Sequence, residues 1–140
     1  MTADKTQLPT RPPSGQPALR TLAMPGDANP NGDIFGGWVL SQMDLAGGVP
    51  AVELAGGRIA TVAVDGMRFH QPIYIGDLVS CWADIVRVGT SSITVRIQTW
   101  AKRGRSGHEV LVTEGTYVYV AIDDSGRPRP VKPAQGKESR

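Results

Sequence analysis

The segment 24–48, MPGDANPNGDIFGGWVLSQMDLAGG, concentrates residues able to act on a carbonyl group. Gly36 and Gly37 fall in the first turn of an apolar stretch with helical spacing. First-turn N–H groups have no partner within a helix and lie at the positive end of its dipole. Glycine lets a ligand come close to that backbone, so an oxygen gaining negative charge is well served there. The same pair also suits close packing of a helix on a sheet. Asp44 lies mid-helix, where an acid gains nothing from the dipole. It is either a partly solvated carboxylate or, set in a cleft, a general base or nucleophile. Gly47 and Gly48 leave space beside it. Asn29 and Asn31 flank Pro30 in the preceding loop. Turn chemistry accounts for them, and an amide there could also orient water or hold a carbonyl.

Spacing constrains how these groups could cooperate. Gly36 and Asp44 are separated by about 12 Å along a helix rising 1.5 Å per residue. Reacting atoms must come within about 3–3.5 Å, so one carbonyl cannot meet both groups of a single helix. Two helices running antiparallel across a two-fold axis would bring Gly36 of one protomer near Asp44 of the other, giving two equivalent sites per dimer.

The elements that position these groups follow from patterning. Ala18–Met24 reads as a short strand, and PGDANPNGD as a loop. Phe35, Val39, Met43 and Ala46 recur at helical spacing, with Asp33 as the expected cap and Gly56-Gly57 as the expected end. Pro50 predicts a kink or a break. After Arg58 the chain reads as sheet: RIATVAVDGMRF, a turn at Gln71–Asp77, LVSCWADIVRV, the turn GTSS, SITVRIQTWAKR, a turn at Gly104–Gly107, and EVLVTEGTYVYVAID. Ile93, Val95 and Ile97 face one way, and Thr94, Arg96 and Gln98 the other. Connections this short imply antiparallel pairing of successive strands. The class is α+β: a long apolar helix wrapped by a curved antiparallel sheet. An open sheet leaves an edge, so a homodimer is expected.

The whole is one domain of 140 residues, with 40% hydrophobic and 20% charged residues. One cysteine, Cys81, excludes a disulfide framework, and two histidines argue against a histidine metal site. The start has no apolar run and no stretch is long enough to span a bilayer, so no membrane role and a cytoplasmic location are expected. Residues 1–17 read as a disordered arm, 18–123 as the folded unit and 124–140 as a Pro-rich flexible tail. Lys5, Arg11 and Arg20 outweigh Asp4 at one end. Arg127, Arg129, Lys132, Lys137 and Arg140 outweigh Asp123, Asp124 and Glu138 at the other. The net charge is +2, so the body is left slightly acidic, which argues against a nucleic-acid surface.

Asn29, Gly32, Phe35-Gly36-Gly37 and Asp44, with TVAVDGMRF, PIYIGD, VGTSS and EGTYVYVAID further on, resemble the hotdog-fold acyl-CoA thioesterases, and among them the YciA-like branch. The resemblance covers about residues 20–130. It implies hydrolysis of acyl-CoA to free CoA and a carboxylic acid, with Asp44 as base or nucleophile. The Gly36 amide would be the donor to the thioester oxygen, and Asn29 would help position carbonyl or water opposite a partner's acid. Gly48 stands where some relatives carry a hydroxyl residue, and Phe35 where other branches carry histidine. Relatives commonly assemble as trimers of dimers. No cofactor or metal is implied, since coenzyme A is part of the substrate.

Coenzyme A phosphates call for cations and hydroxyls. Lys102, Arg103 and Arg105, with Arg87 taken as nearby across the GTSS hairpin, are the candidates, together with Thr90, Ser91 and Ser92 and the Gly37 amide. Each also reads as a solvated rim. Met67 and Phe69 are candidate acyl-lining residues, though they also suit a core. His70 shows no evident partner acid and reads as structural; Cys81 reads as a buried, inert thiol. Two other readings compete. A hotdog dehydratase wants a histidine, absent from 24–48. A non-catalytic acyl-CoA sensor usually carries a further module, for which the 17-residue arm is too short.

Overall fold

A computed structural model describes residues 8–131. Residues 1–7 of the expected arm, with Asp4 and Lys5, and the tail beyond 131, with Lys132, Lys137, Glu138 and Arg140, lie outside the described residues.

Strand β1 (Leu19–Leu22) leads through a single 3-10 turn (Pro25–Asp27) to helix α1 (Gly36–Ala55). Four strands follow: β2 (Ile59–Phe69), β3 (Leu78–Val88), β4 (Ser92–Lys102) and β5 (Glu109–Ala121). They form one antiparallel sheet in the order β1-β3-β4-β5-β2. The alternation read from the sequence holds on the central strand: Ile93, Val95 and Ile97 are fully buried and Arg96 is exposed.

Sequential pairing holds for β3–β4 and β4–β5 but fails for β2. The segment after β2 crosses the sheet, so β2 pairs with β5 at one edge and β3 pairs with β1 near the other. The crossover is anchored where Ile34 N–H donates to Ile73 O at 3.0 Å and Asp33 bridges to Tyr74. The connection therefore pairs with the loop before α1 instead of forming a hairpin.

The helix also departs from expectation at its start. Asp33 is not the cap: its backbone is held extended by Tyr74 and Asn29, and the N-cap is Phe35, whose side chain makes no capping bond. Of the kink or break expected at Pro50, the break does not occur: α1 runs through it to Ala55. Proline removes one ladder bond there, while Ala46, Ala51 and Ala55 pack into the core on either side. Gly56 ends the helix as expected, in the left-handed conformation at φ 67°, its N–H donating to Val52 O.

Alpha-1 lies on the sheet with its small residues inward. Val39, Met43, Ala46, Gly47, Ala51 and Ala55 are buried, whereas Leu45, Val49 and Val52 form a stripe that the sheet leaves exposed. Wrapping is thus one-sided within a protomer. Gly47 is required by contact: a Cβ there would sit 2.3 Å from the Tyr119 hydroxyl and 2.7 Å from Ile97 Cδ1.

Contacts continue beyond the boundaries expected at 18 and 123. Trp82 Nε1 donates to Gly15 O at 3.2 Å. Arg129 Nη2 donates to Ala55 O at 2.9 Å and so satisfies a carbonyl at the end of α1. Val131 is buried, and its N–H donates to Thr90 O. No helix among the described residues is long and apolar enough to cross a membrane.

Candidate active site

The loop 25–35 is built from its own amides. Asn29 Oδ1 accepts from Asn31 N–H at 2.9 Å and from Asp33 N–H at 3.1 Å, while Asn29 N–H donates to Asp33 O at 2.7 Å. Phe35 N–H donates to Asp27 O at 3.1 Å. Asn29 therefore does perform turn chemistry. Because its oxygen serves the loop, the half-buried side chain has only its NH2 group to offer, which makes it a donor. Gly36 and Gly37 open the helix directly after this loop. With Phe35 making no cap bond, their amides keep the donor capacity of an uncapped helix start. Phe69, half exposed at the end of β2, lies beside them: its Cζ is 3.9 Å from where a Gly36 Cβ would be.

Asp44 stands two turns on, at the margin between the buried and exposed faces. Thr61 on β2 donates its hydroxyl to Asp44 Oδ1 at 2.6 Å. The placement has a local cause: the register with β5 slips between Thr61 and Ala63, a bulge that re-aims the strand beside α1. Tyr119 OH donates to Asp44 O at 2.8 Å and Tyr117 OH to Leu40 O at 2.7 Å, fixing the helix turn that carries the acid. Burial, and then the Asp44 charge, push both phenols above the ordinary tyrosine range, so they remain donors. Thr61, Tyr117 and Tyr119 were not singled out in the sequence. The signal for Thr61 is its place on one face with Ile59, opposite Ala60 and Val62; for the tyrosines it is the alternating YVYV of β5.

The expected coenzyme A contacts do not form one group. Arg87 pairs with Thr94 and Lys102 with Leu78, eight positions further along β4. At about 3.4 Å per residue that is roughly 27 Å, so Arg87 is not near Lys102. Arg87 and Thr90 are exposed and Ser91 and Ser92 half-buried at the hairpin tip, where Thr90 O and Ser91 O accept from Val131 and Ala121. Lys102 and Arg105 are exposed at the other end. Arg103 is engaged: it pairs with Asp77, donates to Pro72 O at 3.0 Å and lies 4.6 Å over the Tyr74 ring. Met67 is half-buried and packs over Gly115, its Sδ occupying the space a Cβ would need.

His70 does have a partner acid. Its Nε2 lies 3.2 Å from Glu114 Oε2, and Glu114 Oε1 accepts from Arg96 Nη2 at 2.8 Å. The pair ties β2 to β5, a contact hidden from a reading that paired β2 with β3. Cys81 is buried as expected. Burial pushes its thiol up to about 11, a hydrogen bond with Thr99 opposing the shift. A thiol so placed is unreactive at neutral pH.

The comparisons with known proteins agree with one another. The family model described as the thioesterase superfamily matches residues 31–108. The acyl-CoA thioester hydrolase YciA of Salmonella typhimurium is 50% identical over 127 residues, covering 89% of this chain and 95% of that protein. A solved hexameric broad-specificity acyl-coenzyme A thioesterase superposes with a TM-score of 0.82 at 45% identity, covering 89% of this chain and 86% of its own. A hexameric hotdog-fold thioesterase of Campylobacter jejuni gives 0.78 at 42% identity, covering 83% and 90%. The chain belongs to the thioesterase superfamily, and its fold is the hotdog fold.

Proposed function

Taking that membership as the premise, we propose that this protein hydrolyses acyl-CoA thioesters to free CoA and a carboxylic acid, each active site being shared between two protomers. The observation that carries the reading is the single unbroken helix, which holds the amide-rich start and Asp44 about 12 Å apart. Beside Asp44 runs the uncovered stripe Leu45, Val49 and Val52, and edge strand β2 exposes Val62 and Val64. A second copy laid antiparallel on this face covers the apolar surface and brings Gly36 and Asn29 of one protomer to Asp44 of the other. Relatives that are hexamers support an assembly of three such dimers.

The reaction then needs three tasks. The Gly36 amide and the Asn29 NH2 donate to the thioester oxygen, whose negative charge grows as the carbonyl carbon becomes tetrahedral. Thr61 holds Asp44 Oδ1, leaving Oδ2 to take a proton from water or to attack the carbon itself. Where water attacks, the carbon–sulfur bond breaks, the acyl group keeps the water oxygen, and the proton held by Asp44 passes to the departing thiolate. Where Asp44 attacks, the thiolate leaves, and water then cleaves the acyl–Asp44 anhydride, freeing the acid, restoring the carboxylate and supplying the thiolate's proton. Phe69, beside Gly36, and Met67 line the acyl end. Lys102 and the Arg87, Thr90 and Ser91 tip, with the Gly37 amide, contact the CoA moiety. Since these groups lie at opposite ends of a hairpin, one CoA meets both only from different protomers.

Thiol release from a panel of acyl-CoAs tests this. Wild-type protein should hydrolyse at least one chain length, and Asp44→Ala should lose about a hundredfold or more. No release from any acyl-CoA would overturn the activity. Mixing Asn29→Ala with Asp44→Ala protomers should restore about a quarter of wild-type activity, because half of the dimers then contain one intact site. No restoration, with subunit exchange demonstrated, would overturn the shared site.

A further inference from the structure

Arg103 was a candidate for coenzyme A phosphate, and its surroundings give it other work. Its guanidinium reaches three acceptors of the segment 72–77: the Asp77 carboxylate, Pro72 O at 3.0 Å and the face of the Tyr74 ring, 4.6 Å away. Asp77 is only 2% exposed. The same Asp77 Oδ2 also accepts from Tyr74 N–H at 2.9 Å, and Asp77 N–H donates to Tyr74 O at 3.0 Å. A buried carboxylate closed by a cation and by the Tyr74 N–H, with the Asp77 N–H bonded back to Tyr74 O, makes this segment rigid. Gly76 N–H and Asp77 O exchange bonds with Ala23, which fastens the segment to the end of β1.

The rigid segment is the one to which the catalytic loop is attached. Tyr74 bridges to Asp33, and Ile73 O accepts from Ile34 at 3.0 Å. Asp33 N–H and C=O are in turn the partners of Asn29, and Ile34 lies two residues before Gly36. Arg103 thus connects through Asp77 and Tyr74 to the loop that carries the Asn29 amide and to the start of α1. We infer that Arg103 and Asp77 are positioning residues for the donor pair Asn29 and Gly36, not a phosphate contact; in its catalytic consequence this rests on the proposed thioesterase reading. A guanidinium suits the task because it supplies several donors in one plane and a flat face for stacking, which an ammonium cannot do.

Arg103→Ala would strand the Asp77 charge, so the informative variants are Arg103→Lys and the neutral pair Arg103→Gln with Asp77→Asn. Each is assayed with one acyl-CoA and with the matching acyl-pantetheine, which lacks the nucleotide and every phosphate. Positioning predicts that kcat falls about tenfold for both thioesters, with KM little changed, as expected when donors are misplaced by a fraction of an ångström. A rise in KM confined to acyl-CoA, with acyl-pantetheine unaffected, would mark a phosphate contact and overturn the inference. Amide hydrogen exchange gives a readout independent of hydrolysis. In Arg103→Lys the bonded amides of Asn29, Asp33, Ile34 and Phe35 should exchange about tenfold faster, while those of Ile93, Val95 and Ile97 keep their protection. If wild-type protein hydrolysed neither thioester, the function reading would fall while this exchange pattern would still support the positioning role. Unchanged exchange at Asn29, Asp33, Ile34 and Phe35, or equal loss of protection in β4, would overturn it.

Discussion

The two faces of α1 solve opposite problems. Toward the sheet the helix presents Ala46, Gly47, Ala51 and Ala55 around Met43, and the backbone comes close enough for Tyr117 and Tyr119 to bond its carbonyls. Away from the sheet it presents Leu45, Val49 and Val52, with Leu45 59% exposed. Bulk is thus missing where the protomer is tight and present where the protomer has nothing to pack on. One face sets the helix's distance from the sheet; the other leaves apolar area that the proposed second copy would cover. Asp44 sits at the border, its carboxylate held by Thr61 of β2 and its carbonyl by Tyr119 of β5.

The comparison is broken most severely from the outer face. Leu45→Glu combined with Val49→Glu should leave a folded protomer by circular dichroism yet separate the assembly in sedimentation. Hydrolysis should fall by at least about a hundredfold, because like charges then face each other across the two-fold axis. A folded, dissociated and fully active protein would show that one protomer suffices. From the inner face, Gly47→Ala forces Tyr119 and Ile97 aside and should cost about 1–3 kcal/mol in denaturant unfolding, with little effect on how the remaining folded protein assembles. At the border, Thr61→Val should leave assembly and melting nearly unchanged and lower kcat about tenfold, since a bond to a charged group is lost at the acid proposed to react.

The smallest effect probes the covered side by titration. The Cys81 thiol has its folded value raised to about 11 from 9.0. Between these values the unfolded chain has lost a proton that the folded chain keeps, so stability falls as pH rises. Cys81 should contribute about 1 kcal/mol of loss from pH 9 to pH 10, so the slope in Cys81→Ala should be shallower by that amount, the remainder coming from Tyr117 and Tyr119. An identical slope in the variant would assign it to other groups, Tyr117 and Tyr119 first.

How much was legible depended on the range of the interaction. Periodicity placed α1 and the four strands after it, and Gly56 its end, because these depend on local residues. The α1 start was misplaced by two residues: Ile34 prefers burial with Ile73, a partner remote in sequence, and this outweighs the capping choice of Asp33. The edge position of β2 was hidden for the same reason, and with it the Thr61–Asp44 and His70–Glu114 contacts. The acid and the glycine pair were visible as residue types at a telling spacing. Which cations remain free was not visible, since the occupation of Arg103 depends on where Asp77 and Tyr74 come to rest.

The pairing of β2 with β5 has a consequence for the order in which the protein is made. The strand that presents Thr61 to Asp44 finds its neighbour only when residues 109–121 exist. Arg129, which closes the last turn of α1, follows later still. A nascent chain halted after β4 would hold the helix, the glycine pair and the acid, yet lack the strand whose Tyr119 bonds the Asp44 carbonyl and the side chain that closes the end of α1. The proposed site therefore waits for β5 to leave the ribosome, and a product terminated before β5 carries the glycine pair and the acid without the strand that frames them.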